Sequence, residues 1–243
     1  MKIASCIGLS LLLWGANALA AAAPAEGQKA VLVTGASTGI GRKVTERLAA
    51  DGHFVYAGAR KEKDLAELDA IENVQAIRLD VTKPAEIAAA VETITKAGRG
   101  LYGLVNNAGV AVTGPFMDTK EEDFDFVMDV NTYGPFRVTK GFAPLIIASK
   151  GRITTISSIS GILSGANAGV YSMSKHAIEA FGDSLALQME SHGVKVSLVE
   201  PGNYNSEIGN TAARRMGTTT SLADRSKYKS PDEVADAVSL ALF

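Results

Sequence analysis

The sequence predicts an α/β protein built on a doubly wound parallel sheet of about six strands, with helices on both faces. Three observations carry that reading. Short apolar runs alternate with longer amphipathic stretches along most of the chain, the pattern of strand–helix–strand units that lay strands parallel. Runs such as "VLV" and "VSLV" are apolar enough to be buried on both sides. A glycine-rich turn joins the first strand to the first helix, where such folds hold an anion. Right-handed crossovers then wind the sheet both ways.

The elements follow in order. "AVLVTG" from Ala30 to Gly35 is the first strand, and the helix after it runs to about Asp51, with Gly52 suited to its C-terminal cap. "HFVYAGA" is the second strand and "KDLAELDAI" the second helix. "VQAIRLDV" is the third strand, followed by a helix with Pro84 in its first turn. "GLVNNAG" is the fourth strand and its polar exit. A long helical region spans about Glu121 to Ser149, with a bend expected near Gly134-Pro135. "GRITTISS" is the fifth strand, about Val170 to Ser191 a helix, and "KVSLVEPG" the sixth strand. The last helix is expected to start on a Ser230 cap, with Pro231 in its first turn and Glu233 reaching back as a capping box.

Composition narrows the function. A net charge of −2 favours no nucleic-acid partner. The only cysteine, Cys6, lies in the N-terminal leader, and His53, His176 and His192 are scattered without metal-ligand spacing. Lys2, the apolar Ile3–Trp14 run and Ala18-Leu19-Ala20 read as a signal peptide over residues 1–20, cut after Ala20, or as an uncleaved anchor. The expected location is therefore exported, or else membrane-anchored. Residues 29–243 form a single domain.

The loop Gly35-Ala36-Ser37-Thr38-Gly39-Ile40-Gly41 has the strand-then-helix context a pyrophosphate site needs. Gly35 permits the sharp exit, Gly39 lets backbone approach the anion, and Gly41 lets the helix pack on the sheet. The second strand ends at Ala59-Arg60 with no acid for a ribose. Arg60, helped by Arg42, suits the 2′-phosphate of NADP, or is a solvated strand-end charge; NAD is the less favoured cofactor. Asp80, followed by Val81, can accept from an adenine amino group. Asn106, Asn107, Ala108 and Gly109 follow the fourth strand with room for a ribose, although such asparagines equally tie loops together.

Tyr171 and Lys175 stand four residues apart on a predicted helix, a spacing that alone proves little. Taken in order, "TGASTGIG", "LDV", "NNAG", Asn131 in "VMDVNTYGPF", Ser158 in "ISSISG", "YSMSK" and "EPG" resemble the short-chain dehydrogenase/reductase family, compact single-domain branch, with a Rossmann fold from Ala30 onward. The resemblance implies that Tyr171 is the acid/base, that Lys175 lowers its pKa and binds the nicotinamide ribose, that Ser158 polarises the substrate oxygen, and that Asn131 serves the proton relay. It places Pro201, Gly202 and Ser206 beside the nicotinamide. Tyr204 is a candidate site-lining residue. The stretch to about Lys229 is expected to cover the substrate, with Arg214 and Arg215 read as solvated. "SKHAIEAFGDSLALQME" resembles the subgroup acting on retinol- and steroid-like alcohols, hence a small lipophilic alcohol or ketone. A cofactor-binding redox sensor without catalysis is the alternative.

Two features depart from the family. Family members usually carry one more strand after the final helix, and this sequence ends first: either the sheet has six strands or the sequence is truncated. A six-strand version puts the edge of the sixth strand and the usual oligomer contacts in question; the long helices of the fourth and fifth crossovers could still pair a homodimer. The leader sends the chain towards a compartment where NADPH supply is not evident.

Overall fold

The computed structural model describes residues 27–215 and 228–243. The leader with Cys6, and much of the loop before Lys229, lie outside the described residues. Six parallel strands stand in the order β3-β2-β1-β4-β5-β6. They are β1 (Ala30–Val33), β2 (Phe54–Ala59), β3 (Val74–Arg78), β4 (Gly103–Asn106), β5 (Arg152–Ile156) and β6 (Lys195–Val199). The helices are α1 (Gly39–Ala50), α2 (Glu62–Asp69), α3 (Pro84–Ala97), α4 (Glu121–Met128), α5 (Gly134–Ala148), α6 (Gly169–Glu190), α7 (Ile208–Arg215) and α8 (Asp232–Leu242). Among the described residues, no helix is long and apolar enough to cross a membrane.

Strand side chains alternate between the two faces, and the core divides accordingly. Leu32, Tyr56, Leu104 and Ile153 pack with Ile87, Phe142 and Ile146 on one side of the sheet. Val31, Val33, Val55 and Val105 pack with Val44 and Leu48 of α1 and Val238 and Leu242 of α8 on the other. Strand order reverses between β1 and β4, where Val33 lies in register with Val105. A crevice therefore opens at the C-terminal ends of these strands, the switch point at which such sheets bind ligands.

The long helical region keeps its expected position but is interrupted just before Gly134-Pro135. A π-helical turn, Asp129–Tyr133, joins α4 to α5. The Gly134 N–H reaches back to Asp129 O, one residue further than in an α-helix. Gly134 is held close to the sheet end, since a Cβ there would lie 2.7 Å from Val81 Cγ2. Asn131 sits inside this wide turn.

Two elements differ from expectation at the C-terminal side. The sequence reading left residues 208–215 as loop, yet they form α7. The capping box of α8 does not form: Pro231 holds the N-cap position and no side chain caps the helix. Ser230 is bonded to Asp232 instead, while Glu233 accepts from Lys229 at 3.1 Å and from Tyr204 at 3.0 Å. Capping thus lost to nearer side-chain partners at Ser230 and Lys229, and to Tyr204, which the tertiary fold brings in.

Phe142 has no exposed surface in the face shared by α3, α5 and the sheet. Phe142→Ala should lower stability by about 3–5 kcal/mol, read as a lower urea midpoint with an unchanged slope.

Candidate active site

The phosphate-type loop is rigid because its neighbours leave no alternative. Gly35 and Gly39 have φ values of +65° and +58°, conformations that suit glycine. A Cβ on Gly41 would lie 2.4 Å from the Gly35 carbonyl oxygen, and one on Gly35 would lie 2.8 Å from Ala108 Cα. Thr38 extends into the N-cap of α1 without a side-chain cap. The first N–H groups of that helix, from Gly39 to Gly41, are thus directed at the crevice mouth, with Ser37 and Ile40 half-buried beside them. This geometry fits a dinucleotide's pyrophosphate.

Asn107 ties the crevice together. Its Nδ2 donates to the carbonyls of Thr34 at 2.9 Å and Gly35 at 3.1 Å. Thr34 Oγ1 accepts from the backbone N–H groups of Asn107 and Ala108 at 2.9 and 3.1 Å. The Asn107 side chain is therefore a brace between β1 and β4, and its small neighbours Ala108 and Gly109 border the open space. Asn106 Nδ2 donates to Thr139 Oγ1 at 2.9 Å, a structural tie to α5.

At the outer end, Arg60 follows β2 with its side chain mostly exposed, 3.8 Å from Asp80 Oδ2. Asp80 Oδ1 accepts from the Thr82 N–H at 3.0 Å and hydroxyl at 2.7 Å. Burial pushes the Asp80 carboxyl up, but the Thr82 bonds with Arg60 and Lys83 hold it below the usual range. Val81 spends its side chain on core packing. Arg42 donates to Glu46 at 2.7 Å, along its own helix.

The chemical end is carried by β5, α6 and the π turn. Ser158 follows β5 and is buried; its Oγ accepts from Ser160 N–H at 3.1 Å, which leaves the hydroxyl hydrogen to be directed elsewhere. Tyr171, half-buried, faces Ser158 closely enough for the serine hydroxyl to pull its phenol down in pKa. Lys175, a turn further along α6, is 6% exposed. Its Nζ donates to the Ile156 carbonyl at 2.8 Å and lies 5.7 Å from the Tyr171 ring centroid. Burial pushes the Tyr171 phenol above its ordinary range, with the Ser158 bond pulling the other way. Burial likewise brings Lys175 down to about 8, opposed by the Glu179 charge.

Asn131 clamps the loop after β4. Its Oδ1 accepts from Val110 N at 2.9 Å, and its Nδ2 donates to Val110 O at 2.9 Å and Ser174 Oγ at 3.0 Å. Ser174 in turn donates to the Tyr171 carbonyl at 2.7 Å. A Cβ on Gly109 would lie 3.6 Å from Asn131 Oδ1 and 3.9 Å from Lys175 Nζ. The structure therefore brings Asn131 and Lys175 to Gly109, with Tyr171 beside Lys175 and Ser158 beside Tyr171. Thr34, Ser174 and the Ile156 carbonyl were not read from the sequence. Ser174 carried a signal, its position three residues after Tyr171 on the same helix.

After β6, the Pro201 carbonyl accepts from Ile159 N–H at 3.1 Å, and Gly202 is exposed. Ser206 lies over the phosphate-type loop, its Cβ 2.9 Å from where a Gly39 Cβ would be. α7 then leads to Arg215, which is not a solvated charge. It donates to Asp123 Oδ1 at 2.6 Å and stacks 4.0 Å over the Phe126 ring, drawn to α4 by an acid and an aromatic face. Nothing is described of the Arg214 side chain. Tyr204, expected to line the site, gives its hydroxyl to Glu233 instead. Exposed apolar side chains flank Ser158 and the start of α6: Ile159, Ile162 and Leu163 on one segment, Phe116 and Met117 on another. A Cβ on Gly169 would lie 2.4 Å from Phe116 Cδ2.

Residues 29–217 match the family model described as short chain dehydrogenase. The chain belongs to the short-chain dehydrogenase family. This short-chain dehydrogenase is 39% identical over 200 residues to bovine mitochondrial D-beta-hydroxybutyrate dehydrogenase, covering 78% of this chain and 58% of that protein. It is 37% identical over 186 residues to mouse retinol dehydrogenase 7, covering 75% of this chain and 58% of that one. The chain thus spans under three fifths of the length of these curated relatives. Among solved structures, a variant of actinorhodin polyketide ketoreductase with NADPH superposes with a TM-score of 0.81 at 27% identity, covering 89% of this chain and 91% of that one. A Burkholderia phymatum family member in complex with NAD gives 0.73 at 25% identity, covering 88% and 79%.

The buried Lys175 has a stability signature. Its folded-state pKa of about 8 lies below the 10.5 of an exposed lysine. Below pH 8 both states are charged and the folded state bears the full desolvation cost. Between about 8 and 10.5 the unfolded state binds more protons, so stability rises with pH. The cost is on the order of 3 kcal/mol at about 1.4 kcal/mol per pKa unit. Lys175→Met should therefore be more stable than the parent at pH 7, with the difference fading as pH climbs to 10.5, read by urea unfolding across pH.

Proposed function

We propose that the protein is an NADP-dependent oxidoreductase interconverting a secondary alcohol and a carbonyl. The observation that carries the reading is the half-buried Tyr171, set against Ser158 and one turn from the buried Lys175, beside a glycine-lined crevice at the sheet's switch point. A bound nicotinamide would supply or accept the hydride. Tyr171 exchanges the proton with the substrate oxygen, and Ser158 donates to that oxygen as charge develops on it. Lys175 provides positive charge behind the phenol. Asn131 holds Val110 and Ser174 so that the loop after β4 and α6 keep their spacing.

Pyrophosphate binding falls to the loop from Gly35 to Gly41. Arg60, exposed and only loosely paired with Asp80, offers its guanidinium to a 2′-phosphate. The apolar side chains of Phe116, Met117, Ile159, Ile162 and Leu163 favour a lipophilic substrate. The similar retinol and hydroxybutyrate dehydrogenases act on hydroxyl groups, in keeping with this chemistry. The leader reading adds export with removal of residues 1–20, or anchoring if it is kept; the mass of the mature protein tests this, with loss of the first 20 residues expected.

The central test follows NADPH absorbance against lipophilic ketones, aldehydes and alcohols. Tyr171→Phe should lower kcat by about 10²–10⁴-fold, and turnover that survives the change would remove Tyr171 from the chemistry. Binding of NADPH without turnover on any substrate would favour a redox sensor. Arg60→Asp should move the NADPH/NADH preference towards NADH by about tenfold or more, the scale of one charge-assisted hydrogen bond.

A further inference from the structure

Glu179 is a half-buried carboxylate that the proposed chemistry does not use. It stands on α6 one turn beyond Lys175, as Lys175 stands one turn beyond Tyr171. It does not point freely into water. The Ser157 hydroxyl donates to Glu179 Oε1. Gly161, in the short turn after Ser158, closes over this pair: a Cβ there would lie 2.6 Å from Glu179 Oε1 and 2.9 Å from Ser157 Oγ. Ser157 adjoins Ser158, and its N–H donates to Val199 O at 2.8 Å. The carboxylate is thus fixed to the segment that carries the substrate-facing hydroxyl.

The other groups around Lys175 carry no countercharge. From the end of β5 it meets the Ile156 carbonyl, and the loop after β4 and the π turn present Gly109 and Asn131. Tyr171, on its own helix, is the other titratable neighbour; an ordinary phenol is neutral at neutral pH, and burial pushes this one further up. Glu179, one turn along the same helix, is the acid set against the Lys175 ammonium, and its charge raises the lysine against the burial that lowers it.

We propose that Glu179, locked by Ser157 and roofed by Gly161, is a positioning residue that supplies the countercharge of the Lys175 ammonium. The assignment rests on the oxidoreductase reading for its functional meaning, and on the geometry of α6 and β5 for its physical content. A carboxylate free to rotate would be screened by water. One held under Gly161 acts through the protein, where charge interactions are stronger. Without it, Lys175 would lose its proton at lower pH, and the Tyr171 phenol would lose the positive charge behind it.

The test has a readout independent of turnover. In the cofactor-free protein, NMR titration of the lysine side chains should show one lysine with a midpoint near 8, assigned to Lys175 by its loss in Lys175→Met. Glu179→Gln preserves shape and removes charge. It should lower that midpoint by about one unit, a tenfold loss of the charged form above it. The alkaline limb of the kcat/KM profile should move down in pH by the same amount. Glu179→Asp, which keeps the charge, should return both towards the parent. If Glu179→Gln does not fold, Ser157→Ala keeps the charge but frees the carboxylate, and should shift the midpoint the same way by less. A midpoint unmoved by loss of the carboxylate or of its lock overturns the proposal. A protein that turns over no substrate yet shows the shifted midpoint would sink the oxidoreductase reading and leave the Glu179 assignment standing.

Discussion

A single ammonium group buried at the end of a β-strand organises the chemical half of this molecule. Lys175 is almost without solvent contact, and its Nζ is anchored on the Ile156 carbonyl. That bond fixes the rotation of α6 about its axis relative to β5. Once the rotation is fixed, residues at whole-turn spacing must follow: Tyr171 comes to Ser158 on one side, and Glu179 comes to Ser157 on the other. Two adjacent serines at the exit of one strand alternate in direction, as strand residues do, and so each meets a different turn of the same helix. The arrangement costs stability, because burying an ammonium with incomplete compensation is unfavourable. Such cost is commonly concentrated where a protein does chemistry.

The nucleotide half rests on close approach rather than on charge. Gly35 touches Ala108 across the switch point, and Gly41 leaves space for the Asn107 carboxamide, which bonds the carbonyls at the end of β1. A larger side chain at Gly41 would push directly on backbone. The loop is consequently preorganised before any ligand arrives, and the N–H groups at the start of α1 point outward at no further conformational cost. The two halves share Gly109, which lies within reach of both Asn131 and Lys175. Their spacing is set by Asn131, whose carboxamide bonds both the loop after β4 and α6.

Much of this was legible in the chain because it is local. The strands announce themselves as apolar runs, the glycine loop by its place between strand and helix, and Tyr171 and Lys175 by a turn's spacing. What stayed hidden depends on contacts between distant residues. Thr34 and Asn107 are 73 positions apart, and nothing near either predicts their bond. Residues 208–215, with Gly209 and Asn210 in their midst, are poor helix formers. They become α7 because Ala212 and Ala213 are buried and Arg215 docks on Asp123 and Phe126. The expected cap of α8 failed partly for the same reason, since the distant Tyr204 joins the local Lys229 on Glu233. The π turn at Asn131 adds a residue to one helical turn, which a 3.6-residue periodicity does not reveal.

The direction of the proton shifts at Tyr171 and Lys175 bears on which protonation state the fold itself favours. Burial raises the phenol and lowers the ammonium, so the two titrations cross and move apart, the ammonium losing its proton first. On the protein's own electrostatics, Tyr171 keeps its proton through neutral pH while Lys175 is charged below about 8. A protonated phenol with positive charge behind it is a proton donor, the role required when a carbonyl becomes an alcohol. To accept a proton instead, the phenol needs a further positive charge beside it to offset desolvation. Ser158 contributes only a hydrogen bond, and Glu179 has the wrong sign to help Tyr171 directly. It helps at one remove, by keeping Lys175 charged. The polypeptide alone therefore holds Tyr171 as a protonated phenol, and a phenolate there would need positive charge from outside it.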